Sequence, residues 1–142
     1  MKKYIIYKRI DLEDKMELFI YKTFNDWYND KATEILEGEV VNLYNGLMAI
    51  DTPIDGKNYR QIFSTKNNFA IIHKLPYGFL TSSQEINIYA TTSSWQRSKP
   101  EIVFKGQVCE DESSEGRCVF INEDGYKHYI SLDGIYAVTY ER

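Results

Sequence analysis

The chain has 142 residues, 43% of them hydrophobic and 27% charged, which are the size and composition of an ordinary globular domain. Its formal net charge of −4 argues against broad binding of a nucleic-acid backbone, and the 15% aromatic share argues against extended disorder. We expect one compact domain over residues 1–142, within which residues 1–92 and 101–142 can form sub-lobes.

The first forty residues show two different patterns. Residues 4–10 and 16–21 are rich in β-branched and aromatic side chains, which predicts two strands. From Phe24 to Leu36 the apolar residues recur at spacings of three and four, which predicts a helix over about residues 23–37, packed on a sheet through Trp27. Thr23 fits the N-cap of this helix and Gly38 its end.

Short strands and turns follow from Val40 onward. Asn45-Gly46 and Asp55-Gly56 predict tight hairpins, because glycine, asparagine and aspartate tolerate positive φ angles. The strands predicted here are residues 40–44, 47–52, 59–65, 69–75 and 85–91. The fold class is therefore α+β and mostly antiparallel β, with the one helix in the N-terminal half.

The last 42 residues predict four more strands. They are residues 101–108, 117–123, 126–132 and 135–140, with the polar loop CEDESSEG after the first and the turn SLDG before the last. This unit resembles the closing half of an SH3-like barrel, in which a 3₁₀ turn often joins the final strands. The resemblance concerns the fold of about a third of the chain and implies no function.

The sequence contains no catalytic motif that we can identify. It lacks a G-x-S-x-G nucleophile elbow and a phosphate-binding glycine loop, so we predict no catalytic residue and no cofactor, and we favour a protein that is not an enzyme. Cys109, Cys118 and His128 lack the close cysteine pair of structural zinc sites, so we predict no metal. His73 and His128 both suit solvent-facing strand positions.

The polar loop before Arg117 carries two thiols and four carboxylates. Cys109 and Cys118 can form a disulfide if they lie opposite each other in a hairpin, but a reducing compartment favours free, buried thiols. The carboxylates predict a solvated loop and not an acid–base or calcium site, because exposed carboxylates keep ordinary acidity. They are Glu110, Asp111, Glu112 and Glu115.

Trp95 lies in the polar run TTSSWQRSKP, where a large indole needs an explanation. The first interpretation is a plug that seals the seam between the two sub-lobes. The second is a contact residue for a protein partner, and the third is a stacking platform for a nucleotide-like ligand. The candidate binding residues are Trp95, Arg97, Lys99, Tyr77, Phe79 and Arg60.

We therefore expect a non-catalytic binding protein that docks onto a larger protein and blocks or modulates it, as a small inhibitor or antitoxin-like factor does. The alternative is a binder that sequesters a nucleotide or another anionic metabolite, with self-association left open. The N-terminal residues lack the apolar core of a signal peptide, and no run approaches the ~20 apolar residues of a membrane span. A cytoplasmic location is expected.

Overall fold

A computed structural model describes residues 16–42, 46–65, 67–75, 83–114 and 116–142 of the chain. These ranges contain ten strands and two short helices, so the predicted mostly antiparallel β fold is confirmed. The strands are β1 (Met16–Tyr21), β2 (Glu34–Asn42), β3 (Leu47–Ile54), β4 (Lys57–Ser64), β5 (Ala70–Lys74), β6 (Gln84–Tyr89), β7 (Ile102–Val108), β8 (Arg117–Asn122), β9 (Tyr126–Ser131) and β10 (Ala137–Tyr140). The helices are α1 (Phe24–Tyr28) and α2 (Thr92–Gln96). The strand predicted at residues 4–10 lies outside the described residues.

The ten strands form one antiparallel sheet in the order β10-β6-β7-β8-β9-β5-β1-β2-β3-β4. A 3₁₀ turn at Leu132–Gly134 precedes β10, as the run SLDG predicts. Over the described residues, however, β10 pairs with β6 and the sheet does not close, so the SH3-like half-barrel is not confirmed. The division into one domain with two sub-lobes stays a prediction.

The predicted helix over residues 23–37 is wrong in its extent. It begins as expected, since Thr23 accepts a hydrogen bond of 3.1 Å from the backbone N–H of Asp26. It ends after one turn, because Asp30 takes a left-handed conformation with φ of 58°. The chain then turns back, and the N–H of Thr33 donates to the carbonyl of Ile20. Residues 34–42 consequently form β2, which pairs with β1.

The strands in the middle of the sheet are buried on both faces. Along β1, Leu18 and Ile20 belong to one apolar cluster, whereas Phe19 and Tyr21 belong to another. Because successive side chains of a strand point to opposite faces, the two clusters lie on the two sides of the sheet. Strands β5, β8 and β9 contribute to both clusters in the same way.

Trp27 anchors the larger cluster from α1. It is fully buried, and its ring lies 5.3 Å from Phe69 and 5.7 Å from Phe104. Its indole N–H donates to Nδ1 of His128 at 3.3 Å, which gives the buried indole nitrogen a partner. The prediction that Trp27 faces the core is confirmed.

The β3–β4 hairpin has the two-residue turn that its sequence predicts. Asp55 and Gly56 have φ angles of 52° and 78°, and Ile54 stands opposite Lys57. Positive φ at both central residues is the geometry of a type I′ turn, whose twist matches that of the flanking strands. Short turns of this kind fix the register of the β-rich chain.

Candidate protein-binding surface

The polar run around Trp95 folds into α2, the short helix that joins β6 to β7. Its hydroxyl residues cap it: the Thr91 side chain accepts from the N–H of Ser94 at 3.1 Å, and the Ser94 hydroxyl faces the N–H of Thr91 at 3.3 Å. This reciprocal pair is a capping box, which satisfies N–H groups that an uncapped helix leaves without partners. The cap therefore fixes the direction in which Trp95 leaves the backbone.

Trp95 lies at the surface and does not fill a seam. Its side chain is 45% exposed, and its ring packs against that of Tyr136, which is 48% exposed, at a centroid distance of 5.5 Å. The interpretation of Trp95 as a core plug is therefore wrong. The two rings shield part of each other and still present apolar area to solvent. We call Trp95, Tyr136, Arg97 and Lys99 the Trp95 surface.

Two exposed cations, Arg97 and Lys99, follow Trp95 in the sequence. The guanidinium of exposed Arg97 donates to the Ser93 hydroxyl at 2.7 Å, which ties the arginine to the helix. Lys99 is exposed as well. The nearest carboxylate in the sequence, Glu101, accepts the backbone N–H of Ala90 at 2.7 Å. The Trp95 surface therefore combines two half-exposed aromatic rings with two exposed cations.

Tyr136 connects this surface to β10. Its N–H donates to the carbonyl of Tyr89 at 2.8 Å, and β10 begins at the next residue. In the strand order of the described residues β10 is one edge of the sheet, and its sequence AVTY carries no charge. Strand β4 at the other edge contains Lys57 and Arg60. Charged side chains protect sheet edges from pairing, so β10 is the less protected edge.

An open groove of about 710 Å³ lies at the other end of β10. Its lining is polar and consists of Ser83, Gln84, Glu85, Asn87, Lys105, Thr139, Tyr140, Glu141 and Arg142. Part of this lining is already engaged within the chain. Arg142 lies 3.2 Å from the carboxylate of Glu110, and the Tyr140 hydroxyl donates to the same carboxylate at 2.5 Å. The Glu110 hydrogen bond raises the pKa of Tyr140 to about 12.

Arg60, another candidate binding residue, lies on β4 and is not part of the Trp95 surface. Its guanidinium binds both carboxylate oxygens of Asp51, at 2.7 and 2.8 Å. The hydrogen bonds from Arg60 lower the pKa of Asp51, which keeps the pair charged near neutral pH. Strands β4 and β6 stand near opposite ends of the strand order. Tyr77 and Phe79, the two other candidates, lie outside the described residues.

A second group of titratable side chains surrounds His73, which is buried and not solvent-facing as the sequence predicts. His73 stacks on Tyr129 at 5.7 Å, and its Nε2 lies 3.4 Å from the tyrosine hydroxyl. Burial, with a smaller effect from Lys127, lowers the pKa of His73 to about 4. Lys127 itself forms an ion pair of 2.9 Å with Glu112. A histidine that is only 7% exposed offers no access to a substrate, so we interpret this group as structural.

The solvent-facing placement expected for the two histidines is wrong. His128 is fully buried, stacked on Phe120 at 4.5 Å, with Nε2 at 3.1 Å from the amide nitrogen of Asn122. The burial has a signal in the sequence, since each histidine sits in a run rich in apolar residues that suits a strand covered on both faces. The lysine beside each histidine favours the opposite interpretation, because a lysine is usually exposed.

The two cysteines are free and do not lie opposite each other. The N–H of Cys109 donates to the carbonyl of Val119, one residue beyond Cys118. Cys109 packs on the smaller apolar cluster and Cys118 belongs to the larger one, so the two thiols lie on different faces of the sheet. Burial raises the pKa of both thiols, that of Cys118 to about 11. Neither is activated as a nucleophile.

The acidic loop is less solvated than its sequence suggests. Glu112 is ion-paired with Lys127, and Glu110 binds Arg142 and Tyr140. The residues 110–112 form a 3₁₀ turn with these carboxylates in its single turn. Two of the four carboxylates therefore attach the loop to β9 and to the C-terminal residues, while Glu115 lies outside the described part of the chain.

The ranges that the structure describes contain no cluster of histidine, cysteine and carboxylate groups able to hold a metal ion. Across the same ranges, no helix has the length and apolar character needed to cross a membrane. Comparison with protein-family models, with curated proteins and with solved structures gave no match.

Proposed function

We propose that this chain is a non-catalytic binding protein that docks onto a larger protein through the Trp95 surface and thereby blocks or modulates it. The observation that supports this most directly is the packing of Trp95 on Tyr136 with nearly half of each ring left exposed. Tryptophan, tyrosine and arginine are the residues that contribute most to protein interfaces, and all three stand together here.

The chemistry of the surface indicates the kind of partner. Trp95 and Tyr136 would bury apolar area at the centre of the contact, while Arg97 and Lys99 would pair with carboxylates around it. The capping box and the Ser93–Arg97 hydrogen bond hold the surface in place before binding. Preorganisation of this kind lowers the entropy lost on association. We therefore propose an acidic protein surface with an apolar centre.

A nucleotide or another anionic metabolite is the competing ligand, since an exposed indole beside an arginine also suits a base and its phosphate. The engagement of Arg60 by Asp51, on a distant strand, weakens this alternative. The two free cysteines favour a reducing compartment, and we propose that the interaction takes place in the cytoplasm.

The experiment starts with chemical cross-linking of the tagged protein in lysate, followed by purification of the linked protein. Affinity is then measured by calorimetry for the wild type, Trp95→Ala and Arg97→Glu. Both variants should bind at least about tenfold more weakly, as interface residues of this type do. Arg97→Glu should leave the free energy of unfolding within about 0.5 kcal/mol of the wild type, because the side chain is exposed.

Matched controls come from the distant hairpin. Tyr59→Ala removes a ring that is 52% exposed, and Lys57→Glu reverses an exposed charge on the same strand. Both should bind as the wild type does. Equal affinity of Trp95→Ala and the wild type would refute the proposal. Quenching of Trp95 fluorescence by nucleotides, with no loss of partner binding in Trp95→Ala, would favour the ligand alternative.

A further inference from the structure

Strand β10 has complementary features at its two ends. The protruding Trp95–Tyr136 ring pair and the cations Arg97 and Lys99 lie at its beginning. The groove of about 710 Å³ and the exposed carboxylate of Glu141 lie at its end. We infer that a second copy of this chain occupies the Trp95 surface when no target is bound, with the β10 strands of the two copies paired antiparallel about a two-fold axis. This inference rests on the proposed function, because it concerns the same surface.

Antiparallel pairing is what brings the complementary ends together. Residues that precede β10 in one copy then lie beside residues that follow β10 in the other. Arg97 of each copy then faces Glu141 of the other. Parallel pairing would instead place the cations of both copies together. A two-fold axis repeats each favourable contact, as isologous dimers do.

Among the strands that the structure describes, β10 has a neighbour on one side only, and its other side supplies the backbone part of the contact. Residues 137–140 carry alanine, valine, threonine and tyrosine, with no charge and no proline. Such a strand can donate and accept main-chain hydrogen bonds across a sheet edge. Strand β4, with Lys57, Arg60 and Asn58, is the less suitable edge.

The charges at the groove are consistent with this arrangement. Arg142 is ion-paired with Glu110 at 3.2 Å, and Lys105 stands opposite Glu85 in the strand register. Glu141 therefore provides the carboxylate that Arg97 of the second copy would meet. A functional consequence follows: the dimer would cover the Trp95 surface, so that target binding requires dissociation of the two copies.

The test uses charge reversal in both directions, read by native mass spectrometry and sedimentation. Wild type should dimerise at about 100 µM, a concentration that reveals weak interfaces. Arg97→Glu alone and Glu141→Arg alone should be monomeric, because each places like charges together at both contacts. An equimolar mixture of the two variants should form a heterodimer, since one contact then pairs the two reversed side chains with each other and the other contact keeps the wild-type pair of Arg97 and Glu141. Lys57→Glu should dimerise like the wild type.

The outcomes separate this inference from the proposed function. A wild type that stays monomeric at that concentration overturns the dimer, as does a dimer that persists in both single variants or a mixture that fails to associate. Binding of a target that still depends on Trp95 would leave the proposed function intact in each of these cases. Dimerisation with rescue in the mixture, and competition between target and dimer, would support the inference.

Discussion

Gly106 of β7 lies directly against the backbone of Ile121 on β8: a Cβ atom added to this glycine would stand 1.9 Å from the Ile121 carbonyl oxygen. The same residue is where β7 changes partners, since residues 102–106 pair with β6 and residues 106–108 with β8. Gly38 has the same role in β2, where a Cβ would stand 2.3 Å from the carbonyl oxygen of Asp51. Both glycines permit a close backbone approach at a point where one strand passes between two neighbours.

We expect Gly106→Ala to lower the free energy of unfolding by about 3 kcal/mol or more, because the added methyl group meets backbone that cannot move aside. Urea denaturation followed by circular dichroism measures this loss. Gly56→Ala is the matched control: its φ of 78° strains alanine, but a Cβ there meets nothing within 4 Å. The control should lose about 1 kcal/mol. Equal losses in the two variants would contradict the steric argument.

The strands could be predicted from the sequence because their signals are local. Alternating or β-branched runs bounded by Asp-Gly turns mark β3, β4, β9 and β10 within a few residues of their observed ends. The prediction of a helix over residues 23–37 is wrong because one helical turn followed by a strand also satisfies the spacing of the apolar residues. Ile35, which the helix would bury, is 47% exposed on β2. The pairing of Thr33 with Ile20 is a long-range effect that periodicity does not contain.

Three residues of the Trp95 surface, Trp95, Arg97 and Lys99, stand in one run of the sequence, whereas Tyr136 does not. The composition of the run around Trp95 favours a contact residue, but the Trp95 ring packs on Tyr136, which is 41 residues away in sequence. Arg60 has the residue type expected of a binding residue, but it stands opposite Asp51 in a distant hairpin, because residue type does not establish proximity. The position of β10 at the end of the described sheet follows only from the strand order, which no local sequence pattern encodes.

Replacement of the two tryptophans should lower the free energy of unfolding by different amounts, and the fluorescence of the two indoles should be quenched to different extents. Trp27→Ala should cost about 3–5 kcal/mol, since the indole is fully buried and donates to His128. Trp95→Ala should cost only about 1 kcal/mol, as expected for a half-exposed ring with one aromatic neighbour. In the single-tryptophan variants Trp27→Phe and Trp95→Phe, acrylamide should quench Trp95 strongly and Trp27 weakly. Strong quenching of both would contradict the burial of Trp27.

The cysteines should remain reduced and react slowly. Cys118 is 6% exposed and has a pKa of about 11, so it should react with a disulfide reagent only as the protein unfolds. Cys109 is half-buried and should react first, though below the rate of an exposed thiol. Reagent titration of the native protein, with Cys109→Ser as the control, measures both rates. A thermal midpoint that falls on addition of a reducing agent would instead indicate a disulfide.

The acid side of the stability profile depends on His73. Burial is the main reason that its pKa is about 4 in the folded protein, and Lys127, its cross-strand neighbour, adds repulsion against a second positive charge. The ordinary value of 6.5 applies to the unfolded chain. Between these two values the unfolded state binds more protons than the folded state. The stability contributed by neutral His73 is therefore fully present above pH 6.5 and is lost as the pH falls towards 4.

We expect this effect to lower the free energy of unfolding by about 3 kcal/mol between pH 7 and pH 4, which follows from the difference between the two pKa values. Urea denaturation at half-unit pH steps measures it. His73→Gln lacks the titrating group and should show a shallower loss over the same range, even though its stability at pH 7 is lower. Lys127→Met should raise the pKa of His73, because it removes the repelling charge. The free energy of unfolding should then fall less between pH 7 and pH 4 than it does in the wild type. Identical pH profiles for the wild type and His73→Gln would show that His73 does not control acid stability.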